Sequence, residues 1–272
     1  MIGQKELIQE IDGLIADDKF PKFSIIVGPK GSGKTLLVEH IHSTFSKGIV
    51  LNFGTSVSDV RQAISKSQTV KGDIVFCVFS HADSMSVQAK NALLKIVEEP
   101  PANVYFIMTL ESLSNTLDTI RSRATVYQML PYTPTEIGQI ITSYHPHSDE
   151  MGILVNLCEV PGEVEELCTA GVIKFYEYVK SVVDYIAEVS GANCFKIADK
   201  IKLSDKDATG YDLRLFFKAF MTECSNRLLE DTIQYASAIR ITSKYLQDLN
   251  INGVSKSSLF DMWILDVRKA WM

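Results

Sequence analysis

The sequence predicts an α/β domain with a parallel sheet over residues 1–130, a small helical domain over 131–170, and a second helical domain over 171–272. Apolar runs such as DIVFCVF and VYFIMTL are typical of strands that are buried on both faces of a parallel sheet. Amphipathic helical segments alternate with these runs, which is the pattern of an α/β layer structure. After Pro131 and Pro134 the strand patterns fade and helical spacing of apolar residues takes over.

The elements of the first domain follow from local patterns. Residues 1–20 predict a helix, since Leu7, Ile11 and Leu14 share one face. FSIIVG is a β-branched run that ends in glycine, and TLLVEHIHSTF after it has helical spacing. The remaining expected elements, in order, are strand IVLNF, helix VSDVRQAISKS, strand DIVFCVF, helix SMSVQAKNALLKIVEE, strand VYFIMTL and strand TVYQML.

Composition excludes several classes of protein. No apolar run approaches the roughly 18 residues of a membrane span, and the polar N-terminal segment does not resemble a signal peptide. The five cysteines are scattered and form no CxxC pair, which favours a reducing cytoplasmic location over a disulfide framework or a zinc site. The net charge of −6 gives no general basic surface for binding nucleic acid alone.

The segment GPKGSGKT matches the phosphate-binding P-loop pattern, and it lies between a predicted strand and a predicted helix, as that motif requires. Its glycines let backbone N–H groups turn toward phosphate oxygens, and the following helix adds its positive N-terminal end. Lys34 would reach the β- and γ-phosphates, and Thr35 would be a ligand of Mg²⁺. The predicted cofactor is ATP or ADP with Mg²⁺, bound by Gly28, Gly31, Ser32, Gly33, Lys34 and Thr35.

A hydrolytic P-loop site also needs a carboxylate at the end of a neighbouring strand. Here the strand DIVFCVF is followed by Ser80 and His81, and Asp83 comes three residues after Ser80. Ser80 would be a weak metal ligand, and a histidine with an ordinary pKa near 6.5 is a poor substitute for a glutamate base. Two interpretations remain open: a site that has lost its catalysis, or residual catalysis through His81 or Asp83.

Several segments together resemble one family. The strings IGQKELIQEI, GPKGSGKT and HADSMSVQAKNALLKIVEEPPANVYFIMTLESLSNTLDTIRSR are similar to bacterial clamp-loader subunits of the AAA+ class, and most of all to their delta-prime type. The similarity is close over residues 1–130, holds in pattern over 131–170, and is only architectural beyond. It implies an AAA+ module, a helical lid and a C-terminal helical collar, which joins subunits into a hetero-pentamer. The expected partners are the other clamp-loader subunits, the sliding clamp and primed DNA.

The resemblance also implies roles for individual residues. Arg123, in Ser122-Arg123-Ala124, corresponds to an arginine finger that reaches the nucleotide of a neighbouring subunit; the alternative is an ordinary surface arginine or one paired with Glu98 or Glu99. Thr109 lies near the position that contacts the γ-phosphate; the alternative is a threonine that caps a loop. Gly3 and Gln4 match the segment beside the adenine, and a simple helix start is the alternative.

The departures from the family pattern predict weak hydrolysis. Ser80 and His81 replace the acidic pair, and Glu163 stands where motor subunits carry an arginine, so its charge would repel a γ-phosphate. The family's zinc-binding cysteines are absent. The sequence therefore predicts a subunit that binds nucleotide, hydrolyses it poorly and supplies Arg123 in trans. The alternatives are an active gamma-type or other AAA+ ATPase, and a small-molecule P-loop kinase, which the NALLK–EEPP segment disfavours.

Overall fold

The structure is a computed structural model that describes all residues except 1, 46–47, 70–71, 115, 145–147, 189–195, 198–199, 204–209 and 250–252. The chain divides into two compact units. The first comprises Met1–Ile140 with Glu159–Gly162, and the second comprises Ile141–Cys158 with Glu163–Met272. The division into three domains at residues 130 and 170 remains a prediction.

The first unit is built on a five-stranded sheet in which every strand pairing is parallel. The spatial order is β2-β3-β4-β1-β5. The apolar runs expected to be strands form it, with β1, β3 and β4 buried along their whole length. The strands are β1 (Phe23–Val27), β2 (Ile49–Phe53), β3 (Val75–Phe79), β4 (Val104–Leu110) and β5 (Thr125–Gln128).

Twelve α-helices are described across both units. Those of the first unit are α1 (Lys5–Ala16), α2 (Lys34–Thr44), α3 (Val57–Thr69), α4 (Val87–Glu98) and α5 (Asp118–Arg121). Two helices contribute residues to both units, α6 (Pro134–Ser143) and α8 (Pro161–Ala170). The second unit also contains α7 (Ser148–Leu157), α9 (Val172–Glu188), α10 (Leu213–Asn226), α11 (Thr232–Asp248) and α12 (Lys256–Ala270).

Helices cover both faces of the sheet. Successive residues of a strand point to opposite faces, so Phe23, Ile25 and Val27 of β1 pack in a core with α3 and α4. Ile26 of the same strand packs on the other side with α1 and α2, for example against Leu37. A buried parallel strand must therefore be apolar at every position, which explains the continuous runs in the sequence.

The second unit is helical around an aromatic core. Trp263 of α12 is fully buried, and its ring centroid lies 5.0 Å from that of Phe220 and 5.1 Å from that of Phe217. Its indole N–H donates to the Thr242 hydroxyl at 2.9 Å, so the polar end of the ring is satisfied. A short two-stranded parallel ladder, β6 (Ile201–Lys202) with β7 (Tyr211–Asp212), lies beside these helices. The predicted fold class, a parallel α/β sheet followed by helices, is confirmed.

None of the helices in the described ranges has the length and apolar character needed to cross a membrane.

Candidate nucleotide-binding site

The P-loop occupies the turn between β1 and α2. β1 ends at Val27 and α2 begins at Lys34, so the predicted strand–turn–helix context is present. Gly31 and Gly33 have φ angles of 79° and 89°, a region that side chains make costly. The backbone therefore takes a path that glycine alone adopts without strain.

Lys34 is folded into this loop. Its ammonium donates to the carbonyl oxygens of Gly28 at 2.7 Å and Pro29 at 2.9 Å, and the residue is 7% exposed. Burial lowers the pKa of Lys34, and the carboxylates of Glu111 and Asp83 partly oppose that effect. A buried cation held by carbonyl oxygens gains from a bound anion, because the anion neutralises its charge.

The loop fits phosphate groups. In the part of the chain that the structure describes, the backbone amides of Gly31, Gly33, Lys34 and Thr35 have no hydrogen-bond acceptor. The hydroxyl of Ser32 is buried and also lacks a partner among the described residues. Unused donors at a helix N-terminus are typical of sites that bind anions. Residues 28–35 would hold the phosphates, and bound Mg²⁺–ATP would supply the γ-phosphoryl group and the cation that screens its charge.

The segment after β5 reaches the loop, and the N-terminal residues pack against that segment. The Gln4 side chain donates to the Leu130 carbonyl at 2.7 Å and accepts from the Leu130 amide at 2.7 Å. The Tyr132 hydroxyl donates to the Ser32 carbonyl at 2.9 Å. Gly3 has a left-handed φ of 76°, and a Cβ there would lie 2.7 Å from the Tyr132 ring, so both the backbone and the space favour glycine. Gln4 thus does more than start a helix, and Tyr132 is a contact that sequence patterns did not indicate.

A second segment of the same unit, residues 159–162, packs directly on the P-loop. The Gly162 amide donates to the Gly31 carbonyl at 3.0 Å. A Cβ on Gly162 would lie 2.6 Å from the Gly31 Cα, and Val160 lies beside the same glycine. Two glycines therefore allow two backbones to touch, which no single-residue pattern could have predicted.

The ends of β3 and β4 carry the remaining residues of this site. The His81 amide donates to the Thr109 hydroxyl at 3.2 Å, and His81 has a left-handed φ of 54°. The Asp83 carboxylate accepts from the amides of Glu111 at 2.8 Å and Ser112 at 3.2 Å. Asp83 therefore holds the turn after β4 in place. The acid that the sequence offered for residual catalysis after β3 thus has a structural role.

The structure brings together some predicted site residues. Thr35, Ser80 and Thr109 line one cavity of about 260 Å³. Arg123 does not line it. The Arg123 guanidinium contacts the Glu98 carboxylate at 2.7 and 2.9 Å and donates to the Thr119 carbonyl at 2.9 Å. The pairing with Glu98 is the alternative that the sequence left open, and at 37% side-chain exposure the arginine remains accessible.

Glu163 has a partner within the helical unit. Its carboxylate accepts from the Lys218 ammonium at 2.8 Å, and the two side chains are 12% and 10% exposed. A nearly buried carboxylate beside a lysine is held as an ion pair, because either charge alone would be costly to bury.

Across the described ranges, no three His, Cys, Asp or Glu side chains cluster as metal ligands. The described cysteines are unpaired, and burial raises the pKa values of Cys77, Cys158 and Cys224 to about 12. Those three thiols are therefore protonated at neutral pH. Cys194 lies outside the described residues.

Comparison with known proteins shows which families and relatives this chain resembles. Residues 53–133 match the family model described as DNA polymerase III, delta subunit. The chain is 24% identical over 165 residues to replication factor C subunit 3 of Schizosaccharomyces pombe, covering 55% of this chain and 48% of that protein. It is 32% identical over 108 residues to the DNA polymerase III subunit delta′ of Bacillus subtilis, covering 37% of this chain and 33% of that protein. It thus spans about half the length, or less, of these relatives.

A solved structure shares the fold over nearly the whole chain. It is a DNA polymerase III gamma subunit-related protein from Thermotoga maritima, with a TM-score of 0.57, 13% identity, and coverage of 97% of this chain and 99% of that one. A parallel sheet of order β2-β3-β4-β1-β5 with a P-loop after β1 and helices beyond it defines an AAA+ protein. Within that class, the sequence is similar to clamp-loader subunits, over residues 53–133 for the family model and over 55% and 37% of the chain for the two relatives.

Proposed function

We propose that this chain is a delta-prime-type subunit of a replicative clamp loader. It assembles with the other clamp-loader subunits in a hetero-pentamer, acts in the cytoplasm in DNA replication, and helps to load the sliding clamp onto primed DNA. It binds ATP or ADP with Mg²⁺ at its own P-loop through Gly28–Thr35 and Thr109, hydrolyses the nucleotide poorly, and supplies Arg123 to a neighbouring motor subunit. Its sheet domain, helical lid and collar would end near residues 130, 170 and 272.

The combination of a complete phosphate cradle with a missing acid carries this proposal. The loop has free amides and a buried lysine, yet Ser80 and His81 follow β3 where hydrolysis requires a carboxylate. Asp83, the nearest acid along the chain, is engaged by two backbone amides. Such a site binds nucleotide without a base to activate water, which suits a partner subunit rather than a motor.

The accessible guanidinium of Arg123 supports the second half of the proposal. Its present partner, Glu98, is 49% exposed, and an exposed ion pair of this kind contributes only about 0 to 1 kcal/mol. A neighbouring nucleotide could therefore attract Arg123 away at small cost, because a triphosphate carries more negative charge than one carboxylate.

Reconstitution with the motor subunits, the clamp and primed DNA tests this function. Arg123→Ala should lower the clamp-stimulated ATPase of the assembled complex by about 10³-fold or more at the site that it completes, while assembly measured by gel filtration is unchanged. Arg121→Ala is the matched control, because Arg121 is a similarly exposed arginine two residues away. Failure to co-purify with those subunits would contradict the assignment to a clamp loader.

The nucleotide site is tested on the isolated chain. A fluorescent ATP analogue should bind, Lys34→Ala should abolish that binding, and turnover by the chain alone should be negligible. Robust turnover that disappears in His81→Ala or Asp83→Asn would instead favour an active gamma-type ATPase.

A further inference from the structure

One acidic residue, Glu39, lines the cavity beside the P-loop. One wall is a face of α2 that carries Thr35 and, one helical turn later, Glu39; the opposite wall is formed by the ends of three strands at Asn52, Ser80 and Thr109. Its volume is about 260 Å³, which is room for several water molecules at roughly 30 Å³ each. All five of these side chains carry oxygen atoms that a divalent cation can use.

Glu39 is available for such a role. It is exposed, and none of the described residues forms a hydrogen bond or an ion pair with its carboxylate. Thr35 and Glu39 are four residues apart, so they lie on the same side of α2. Helical side chains lean toward the N-terminus of their helix, and that direction takes the Glu39 carboxylate toward Thr35.

The other nearby acids are less suited. Both oxygens of Asp83 already accept backbone amides. Glu111 follows β4 and acts on the Lys34 ammonium through its charge, but it does not line the cavity that Thr35 and Ser80 share. Glu39 is the one acidic residue among the described residues that line it.

We propose that Glu39 supplies the carboxylate that holds Mg²⁺ together with Thr35, in place of the acid missing after β3. The inference rests on the proposed nucleotide binding at the P-loop. Mg²⁺ takes oxygen ligands, keeps several waters, and is commonly held by one or two carboxylates together with phosphate oxygens. Glu39 and Thr35 provide the protein's share of that set from a single helix. The arrangement provides a metal ligand and no base for water, so it favours Mg²⁺-dependent binding over hydrolysis.

The test measures affinity for a fluorescent ATP analogue by the isolated chain, in excess EDTA and across a Mg²⁺ titration. The matched variants are Glu39→Gln and Glu111→Gln, which remove one negative charge each from exposed positions. Glu39→Gln should weaken the apparent Mg²⁺ affinity by about 10- to 100-fold or more, since losses of that size follow even when a residue that only orients a metal ligand is replaced, and the EDTA affinity should be unchanged. Glu111→Gln should keep the wild-type Mg²⁺ response, and Glu39→Asp should retain part of it. Mn²⁺ in place of Mg²⁺ allows the bound metal to be followed directly by electron paramagnetic resonance.

The outcomes separate this inference from the proposed function. If Glu39→Gln retains the Mg²⁺ response, or if Glu111→Gln loses it, the role of Glu39 is wrong while nucleotide binding stands. If the wild-type chain binds the nucleotide neither with nor without Mg²⁺, the proposed nucleotide site and the role of Glu39 both fail. Thermal unfolding of each variant should match wild type, since neither side chain is buried.

Discussion

Gly162→Ala probes the contact between residues 159–162 and the P-loop. Gly162 lies in the first turn of α8, and its φ angle is not positive. At an ordinary helical position, replacing glycine by alanine stabilises a protein by about 0.5 to 1 kcal/mol. Here the added Cβ would lie 2.6 Å from the Gly31 Cα, so the substitution should have the opposite effect.

The loss of stability in Gly162→Ala can be worked out from the distance between the added Cβ and the Gly31 Cα. Ordinary contact begins at 3.4 Å and the Cβ would start at 2.6 Å, so the two segments must separate by about 0.8 Å (3.4 − 2.6). The obstructing atom is backbone and cannot rotate away, and overpacking of this kind costs about 1 to 3 kcal/mol. After subtraction of the helical gain, the net loss is about 1 kcal/mol, or a fall of about 2 to 4 °C in Tm for a chain of this size.

Gly138→Ala is the matched control. Gly138 lies in α6, and a Cβ there would meet nothing within 4 Å, so this variant should be stabilised by about 0.5 to 1 kcal/mol. Thermal unfolding of both variants compares the two effects. Hydrogen exchange at the Gly162 amide, which donates to Gly31, should accelerate in peptides from Gly162→Ala. Equal stabilisation by the two substitutions would falsify the proposed backbone contact.

Three further predictions concern other contacts. Glu98→Gln weakens the exposed ion pair between Glu98 and Arg123. The clamp-stimulated ATPase of the reconstituted complex should therefore rise by at most about fivefold, which is the equivalent of about 1 kcal/mol. A decrease in this ATPase would mean that Glu98 positions Arg123 for its role at the neighbouring nucleotide. Thr242→Val leaves the buried indole N–H of Trp263 without its acceptor and should cost about 1 to 3 kcal/mol by denaturant unfolding, whereas a neutral result would show that the pair is broken in solution. Tyr132→Phe removes the hydroxyl that donates to the P-loop. The free energy of unfolding should fall by about 1 kcal/mol, and the affinity for nucleotide should change measurably. An unchanged affinity would mean that Tyr132 does not contribute to nucleotide binding.

The sheet and the P-loop could be predicted because their causes are local. A strand such as β4, buried at all seven positions, must be apolar throughout, and that run is visible without any knowledge of its neighbours. Gly31 and Gly33 have the positive φ angles that their motif implies. The resemblance implied that Thr109 lies near the γ-phosphate, and Thr109 lines the same cavity as Thr35.

Other parts of the site depend on contacts between distant residues. The Tyr132 hydroxyl donates a hydrogen bond to the carbonyl of Ser32, 100 residues earlier in the chain. The Gln4 side chain forms hydrogen bonds with the backbone of Leu130, 126 residues later. Glu39 has the sequence context of an ordinary surface residue on a helix, and only the packing of α2 against the strands places it on the cavity. The sequence left open whether Arg123 is an arginine finger, an ordinary surface arginine or an arginine paired with Glu98 or Glu99. In the folded chain its guanidinium lies 2.7 Å from the Glu98 carboxylate, and the role as a finger stays a prediction.

The sequence by itself determined the class of fold, the P-loop motif and the absence of an acid directly after β3, because each depends on residues that are adjacent in the chain. Tertiary structure alone decided that the Asp83 carboxylate accepts hydrogen bonds from the turn after β4 and that the backbones of Gly162 and Gly31 are in contact. It also decided that Glu163 pairs with Lys218. The physical reason is the same in each case: a hydrogen bond or an ion pair is assigned by which groups meet in space, and residues far apart in the chain meet only after the chain has folded.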